Sequence, residues 1–226
     1  MTDYDTRTRD ELYDLASERE IDGRSDMTKD QLVAALRLTD LGPNAVDLLL
    51  RQHEEFRVRI TEFRELSSRP SKRKAELVGE LSVDLVKHSM IEEQIFYPTV
   101  RNEVDGLAEQ IDEDLEEHHV VDVLLAELES MTPADERFDA KVTVLIENTE
   151  HHLEEEEDEL FPQVRKQMSD ERLRELGGAM VALWQRAPLR PHPRAPQTPP
   201  GNVLLALPMA AWDIGRTLLR LVMRRK

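Results

Sequence analysis

Two histidine–glutamate pairs with the same spacing stand out in this chain of 226 residues. His88 and Glu92 are four residues apart, as are His152 and Glu156, so on a helix each pair would share one face. The chain has no cysteine, which excludes disulfides, thiolate metal sites, iron–sulfur clusters and cysteine nucleophiles. Any metal must therefore be held by histidine and carboxylate side chains, which favour harder or borderline ions.

The two pairs belong to an internal repeat. The segment HSMIEEQIFYPTVR, which begins at His88, aligns without a gap with HLEEEEDELFPQVR, which begins at His152. A second alignment places Gln52 and His53 on Glu117 and His118. We call these the His88–His152 and His53–His118 alignments. They select His118 and His152 from two histidine doublets, and they indicate two copies of one helix pair.

The segments that carry these residues have the period of amphipathic helices. Apolar residues recur every three or four positions over residues 48–63, 81–95, 115–128 and 146–160. Breaking sequences at 67–70, 105–106 and 131–133 separate these stretches, and no stretch alternates with period two. The sequence predicts an all-α fold, with an up-down-up-down four-helix bundle over residues 44–185.

Inside such a bundle the repeated side chains would converge in an apolar core. Two uncompensated buried carboxylates would cost several kcal/mol each, and two cations would offset that cost. We expect Glu92 and Glu156 to bridge two iron ions; manganese and zinc are weaker candidates, because bridging carboxylates with spare coordination positions suit iron better. The predicted ligands, two histidines for each metal, are His53, His88, Glu92, His118, His152 and Glu156.

These motifs resemble the hemerythrin-like family of His-His-Glu cation-binding domains. The resemblance rests on His53, HSMIEEQIFYP, EEHHVVDVLLAEL and HHLEEEEDELFP, and it covers about residues 44–185. It implies a non-haem di-iron site that interacts with O2, peroxide or nitric oxide, in redox or oxygen sensing or in oxidative-stress defence. A peroxide-consuming, catalase-like di-iron enzyme is an alternative, although no catalytic residue is identified from the sequence.

The sequence departs from the oxygen-carrying hemerythrins on two helices. Where they have HxxxH on the third helix, this chain has His118 and Asp122, and where they have HxxxxD on the fourth it has HxxxE. One imidazole is missing, so either Asp122 is an additional ligand or the site keeps an open position. Such an anionic site would favour the ferric state and peroxide chemistry over reversible O2 transport. Glu93 and Glu157 point off the apolar stripe, and we expect them to contact ligands from outside or to face solvent.

The net charge of −17 is distributed unevenly along the chain. Residues 1–40 carry −5, residues 41–185 carry −19 and residues 186–226 carry +7, which argues for separate parts. Six prolines in residues 186–201 predict an extended linker. The acidic total argues against nucleic-acid phosphate as the main partner of the whole chain. The N-terminal segment has neither the basic nor the apolar run of a secretory signal, so a cytoplasmic location is expected.

Residues 1–40 predict a small helix–extended turn–helix module. Gly23 lies in the turn, and Thr28 with Gln31 forms a capping box at the second helix. The segment resembles the N-terminal module of transcription termination factor Rho, which is similar in shape to SAP domains, and the resemblance implies nucleic-acid binding. The candidate nucleic-acid contacts are Arg24, Lys29 and Arg37; because the module is acidic, protein docking or a purely structural role is the alternative.

Residues 202–226 predict a basic amphipathic helix. Its uncharged apolar run, residues 203–212, is shorter than a membrane-spanning helix requires. The alternatives are binding to an anionic membrane surface, which would place the protein at the inner membrane, and docking on the bundle or on another copy. A further hypothesis is an adaptor that joins nucleic acid or protein to a membrane, with the bundle as sensor. The candidate membrane contacts are Trp212, Arg224, Arg225 and Lys226.

Overall fold

The computed structural model describes residues 4–66, 69–187 and 190–191. All regular structure within these residues is helical, which confirms the predicted all-α class. None of the described helices is both long and apolar enough to cross a membrane. The predicted C-terminal helix and most of the predicted linker lie outside the described residues, as do the candidate membrane contacts Trp212, Arg224, Arg225 and Lys226.

The N-terminal module consists of α1 (Arg9–Glu18), a 3-10 turn (Arg24–Asp26) and α2 (Lys29–Leu41). Both helices begin with a capping box, and the second is the predicted one at Thr28. Gly23 has a φ of 68°, the left-handed conformation that its glycine allows. The turn is partly 3-10 rather than wholly extended, because the Asp26 N–H bonds back to the Gly23 carbonyl. The module has its own core of Tyr4, Leu12, Ala16, Leu32, Val33 and Leu36.

Four long helical segments form the predicted bundle. The second and fourth each contain a π-helical turn between two α-helices, so that each segment continues well past its periodic stretch in the sequence. The segments are α3 (Ala45–Glu65); α4 (Lys72–Ile91), a π turn (Glu92–Phe96) and α5 (Tyr97–Glu103); α6 (Ala108–Leu128); and α7 (Phe138–Glu155), a π turn (Glu156–Leu160) and α8 (Phe161–Gln167).

The two π turns begin at Glu92 and Glu156, which the His88–His152 alignment relates. A proline follows each turn, at Pro98 and Pro162. Proline lacks the N–H that would bond four residues back, and its ring clashes with that carbonyl in a regular helix. A wider turn ahead of it lets the helix continue, with the Tyr97 N–H bonded to the Glu92 carbonyl. The internal repeat is therefore present in the backbone, and π turns are frequent at functional sites.

A further helix, α9 (Asp170–Trp184), falls within the range predicted for the four-helix bundle. It packs against α2, α3 and α4, and so joins the N-terminal module to the bundle. Two glycines permit this approach: a Cβ on Gly177 would lie 2.0 Å from the Pro43 carbonyl oxygen, and one on Gly178 would lie 2.2 Å from that of Leu41. The four-helix prediction is thus extended by a fifth helix on one side of the bundle.

The apolar core of the bundle has two parts. One contains the start of α3, both segments after the π turns, and α9, and the other contains the far half of α3 with most of α4, α6 and α7. A layer of buried polar side chains interrupts the core on every bundle helix between these parts. The predicted ligands lie in this layer.

Candidate metal centre

The six predicted ligands meet in the buried polar layer of the bundle. None is more than 4% exposed, although each has a charged or polar head group. Each bundle segment contributes to the layer, and the two glutamates are the first residues of the π turns. These residues are His53, His88, Glu92, His118, His152 and Glu156.

The first half of the centre pairs two histidines with the two glutamates. The Nε2 atom of His53 lies 3.3 Å from Glu156 Oε2, and the Nε2 atom of His88 lies 3.3 Å from Glu92 Oε2. The two imidazole rings lie edge to face, with centroids 5.1 Å apart. These four side chains form one group whose ligand atoms all lie within 4.8 Å of one another.

The second half contains the other two histidines. The Nε2 atom of His118 lies 3.4 Å from Glu92 Oε2 and 3.0 Å from the Nε2 atom of His152. His152 Nε2 in turn lies 3.8 Å from Glu156 Oε2. Each glutamate therefore faces one histidine from each half through its Oε2 atom.

The outward-facing Nδ1 atom of each histidine has an acceptor. Such a contact favours the tautomer with its proton on Nδ1, and leaves the Nε2 lone pair directed into the centre. Three acceptors are carboxylates and one is an amide oxygen. They are Glu157 for His53 at 2.8 Å, Gln52 for His88 at 2.8 Å, Glu93 for His118 at 3.2 Å, and Glu117 for His152 at 2.8 Å.

These outer partners follow the internal repeat. Glu93 and Glu157, expected either to contact ligands or to face solvent, hold His118 and His53. No contact was predicted from the sequence for Gln52 or Glu117, although the His53–His118 alignment pairs these two residues. The pairing could have predicted their contacts with histidine, because residues related by pseudo-symmetry have equivalent neighbours.

The residues present fit a pair of metal ions. Nε2 of His53 and of His88, both carboxylate oxygens of Glu92 and one oxygen of Glu156 are buried without a hydrogen-bond partner among the described residues. Metal–ligand bonds of about 2.0–2.2 Å place neighbouring ligand atoms about 3.0–3.5 Å apart. The nitrogen–oxygen distances of 3.3, 3.3 and 3.4 Å match that separation.

The pKa values of the predicted ligands are shifted by burial and by their mutual charges. Burial, reinforced by the Glu156 carboxylate, raises the pKa of Glu92 well above its ordinary value. Burial lowers the pKa of His88 well below its ordinary value and that of His118 to about 3, with neighbouring imidazoles adding to the effect. Burial opposes ionisation of Glu156, but the facing rings of His152 and His53 outweigh it and lower its pKa. A bound cation would stabilise both carboxylates in their charged form.

Aromatic side chains surround the centre. The Phe161 ring stacks on His53 with a centroid distance of 5.6 Å, and Phe56 meets His88 edge-on at 5.1 Å. The Tyr97 hydroxyl donates a hydrogen bond to Glu156 Oε1 at 3.0 Å. These rings surround the buried ligand atoms with apolar surface, where electrostatic interactions are strong.

Two aspartates of α6 flank His118 by one turn on either side. Asp122, the candidate additional ligand, is half-buried and lies outside the ligand groups found among the described residues, so its role stays a prediction. Asp114 is fully buried and forms a further group with Glu117 and His152. It was not predicted from the sequence; the His53–His118 alignment places this carboxylate opposite the apolar Leu49, which was the available signal.

The three candidate nucleic-acid contacts in the N-terminal module bond to the module itself. Arg24 donates to the Ile21 carbonyl, and Lys29 donates to the Asp5 carbonyl. Arg37 pairs with the Asp5 carboxylate at 2.5 Å. Their role with nucleic acid stays a prediction.

Comparisons with known proteins agree with the geometry. The chain is 28% identical over 131 residues to an uncharacterized hemerythrin-like protein of Schizosaccharomyces pombe, covering 58% of this chain and 64% of that protein. It is 27% identical over 129 residues to a DNA nickase of Nostoc sp., covering 57% of this chain and 35% of that protein. The chain thus spans less than two thirds of the length of either relative.

A solved structure shares the fold. The crystal structure of a hemerythrin HHE cation binding domain-containing protein from Mycobacterium kansasii has a TM-score of 0.55 and 23% identity, over 64% of this chain and 86% of that one. A family model described as the hemerythrin HHE cation binding domain matches residues 44–164, more than half of the chain, and begins after the N-terminal module. The chain therefore belongs to the hemerythrin HHE cation binding domain family.

Proposed function

We propose that the bundle holds two carboxylate-bridged non-haem iron ions, and that O2, peroxide or nitric oxide interacts with this centre in redox or oxygen sensing or in oxidative-stress defence. The observation that carries the proposal is the meeting of His118 and His152, whose Nε2 atoms lie 3.0 Å apart.

Both of these rings have a carboxylate at Nδ1, Glu93 for His118 and Glu117 for His152. With the Nδ1 protons held there, two Nε2 lone pairs face each other across 3.0 Å, close to the Glu92 carboxylate. Lone pairs at that distance repel unless a proton or a cation lies between them. A metal ion bound there would satisfy both nitrogens and the carboxylate together.

The donor set is one that iron accepts, and bridging carboxylates with spare coordination positions favour iron over zinc. Imidazole and carboxylate suit iron, manganese and zinc, and the absence of cysteine excludes the soft sites that other metals prefer. A bound iron pair would supply one-electron chemistry and an attachment point for a small oxygen or nitrogen ligand. The protein's part is to orient four imidazoles through their Nδ1 partners and to exclude water with Phe56, Tyr97 and Phe161.

Visible spectroscopy of the iron-loaded full chain tests this proposal. The reduced protein should be prepared under anaerobic conditions and then exposed separately to O2, peroxide or nitric oxide. A His88→Ala variant is the control. A spectral change with at least one of them, absent from the variant, supports the proposal. Steady O2 evolution from peroxide would favour the catalase-like alternative instead. If none of the three additions changes the spectrum and none is turned over, both the sensing proposal and the catalase-like alternative are contradicted.

The adaptor hypothesis is the second candidate, and the observation that favours it is the separate core of the N-terminal module. Arg24, Lys29 and Arg37 already bond within the module. The module therefore fits a protein-docking or structural role better than it fits phosphate binding. Fluorescence anisotropy with single- and double-stranded oligonucleotides should show no binding at physiological salt. Binding that is lost in an Arg24→Ala, Lys29→Ala, Arg37→Ala variant would favour nucleic acid.

Association of residues 202–226 with a membrane surface also stays a prediction. Liposomes containing anionic lipid should co-sediment the full chain and leave a 1–200 truncation in the supernatant. Equal behaviour of the two proteins would favour docking of this segment on protein.

A further inference from the structure

Further ligand-type side chains extend from the metal centre to the surface on one side of the bundle. His151 on α7 has a side chain that is 62% exposed, and its Nε2 atom lies 3.4 Å from Glu155 Oε1 and 3.8 Å from Glu117 Oε1. These three residues form a group whose ligand atoms all lie within 4.8 Å of one another. The outer end of the series is therefore open to solvent.

The series continues inward through shared members. The second oxygen of Glu117 contacts His152 Nδ1 at 2.8 Å, and the same nitrogen lies 4.0 Å from Asp114 Oδ1. Asp114, Glu117 and His152 form the next group, and His152 also belongs to the group with Glu92 and His118 in the centre. Adjacent groups thus share Glu117 or His152, so that the series runs from the surface to the centre through shared side chains.

Asp114 is the residue that points to a ligand. It is 0% exposed, and neither of its carboxylate oxygens accepts a hydrogen bond from any residue that the structure describes. A buried carboxylate without a partner is strongly unfavourable. With the Glu117 carboxylate in the same group, Asp114 lies where a passing cation would be stabilised.

The pseudo-symmetric half of the bundle provides an internal comparison. The two alignments of the repeat relate the members of the series to side chains that are poor cation ligands. Asp114 falls on Leu49, Glu117 on Gln52, His151 on Lys87 and Glu155 on Ile91. All four differences favour a cation on the α6–α7 side.

Helix α9 accounts for the difference between the two sides. It packs against α3 and α4, where the Nζ atom of Lys87 lies 4.4 Å from the centroid of the Trp184 ring. The equivalent face of α6 and α7 exposes His151. The bundle is therefore closed by helix packing on one side and carries ligand-type residues on the other.

We propose that Asp114, Glu117, His151 and Glu155 form a transit site that conducts divalent cations from solvent to the buried centre. This proposal rests on the metal centre proposed above. The site binds an ion through imidazole and carboxylate groups at the surface and passes it inward through Glu117 and Asp114 to His152. The transit site sets the rate of metal loading, whereas the centre determines the number of ions finally bound.

Stopped-flow loading of the metal-free full chain with Co2+ tests the transit site, with the visible absorbance of histidine-bound Co2+ as the readout. The variants take the residues found at the aligned positions of the other half of the bundle, Asp114→Leu and His151→Lys. The matched control is Glu154→Gln, an exposed carboxylate on the same helix outside the series. We expect about tenfold slower loading or more in both variants, with final stoichiometry unchanged, and wild-type rates in the control.

Equal loading rates in all four proteins would overturn the transit site while leaving the metal centre intact. Failure of the wild type itself to bind two Co2+ ions would overturn the metal centre, and the transit site with it. If Asp114→Leu does not fold by circular dichroism, the surface variant His151→Lys decides alone, because its side chain is largely exposed.

Discussion

The Tyr97 hydroxyl donates a hydrogen bond to Glu156 at 3.0 Å, whereas the repeat-related Phe161 has no hydroxyl to offer Glu92. Both oxygens of Glu92 consequently lack a hydrogen-bond partner among the described residues, and one oxygen of Glu156 has one. The two bridging candidates are therefore inequivalent, although their backbone turns are related by the repeat.

Replacement of Tyr97 by Phe would remove this donor and give both halves the same residue. Because a buried carboxylate oxygen would lose its partner, we expect the free energy of unfolding of the metal-free protein to fall by about 1–3 kcal/mol. Urea denaturation measures this, and Tyr13→Phe in the N-terminal module is the control, with a change below about 0.5 kcal/mol. Equal midpoints for wild type and Tyr97→Phe would contradict the bond.

The Nδ1 partners should control metal affinity. Glu157 holds His53 at 2.8 Å, and this hydrogen bond together with Arg57 lowers the pKa of Glu157 to about 2. Glu157→Gln keeps the shape and removes the charge, so we expect metal affinity to fall about 10–100-fold. Competition with a chelator measures it against Glu154→Gln as control. Unchanged affinity would mean that the contact does not orient the ring.

The metal-free protein should have a pH dependence that traces to Asp114. Burial, then the charge of Glu156, raises the pKa of this carboxyl to about 8, above its value of about 4 in the unfolded chain. The folded chain binds this proton more tightly than the unfolded chain does. The resulting stabilisation is fully present below about pH 4 and is lost as the pH rises towards about 8.

Asp114→Asn cannot ionise and should escape this loss. We expect the metal-free variant to gain stability over wild type as the pH rises from about 4 to about 8. Urea denaturation in the presence of a chelator, at several pH values across this range, would measure the difference. A difference that does not vary with pH would argue against the raised pKa.

The close approach of α9 to the loop before α3 depends on glycine. Gly178→Ala would place a Cβ 2.2 Å from the Leu41 carbonyl oxygen, a backbone atom that cannot move aside cheaply. We expect a loss of about 2 kcal/mol or more in the free energy of unfolding. Gly79→Ala on α4 is the control. Apart from the backbone of α4 itself and the adjacent residues, no heavy atom of the described residues lies within 4 Å of its new Cβ, and alanine should stabilise the helix by about 0.5–1 kcal/mol. Equal effects at both sites would contradict the packing.

The sequence predicted the helical class and the convergence of the six ligands because both follow from periodicity. His88 and Glu92 share a face because of helix geometry. The alignments of the internal repeat predicted which member of each histidine doublet is the ligand, namely His118 and His152. The π turns at Glu92 and Glu156 could not be predicted in this way, since they depend on how the following proline is accommodated within a packed helix.

Other features depend on contacts between distant segments. Helix α9 has an ordinary amphipathic pattern, but its position could not be predicted, because it depends on packing against α2, α3 and α4, which lie far away in sequence. The Nδ1 contacts likewise join residues far apart in sequence, such as His53 and Glu157. Asp114 could not be recognised from the sequence, because its burial depends on how α6 packs against the neighbouring helices.

Metal content of the purified full chain tests the dinuclear centre most directly. After expression with iron, elemental analysis should find about two iron ions per chain. A variant carrying His88→Ala and Glu156→Ala should lose both ions while its circular dichroism remains helical. A folded wild-type chain without stoichiometric metal after reconstitution, or a variant that keeps both ions, would contradict the centre described here.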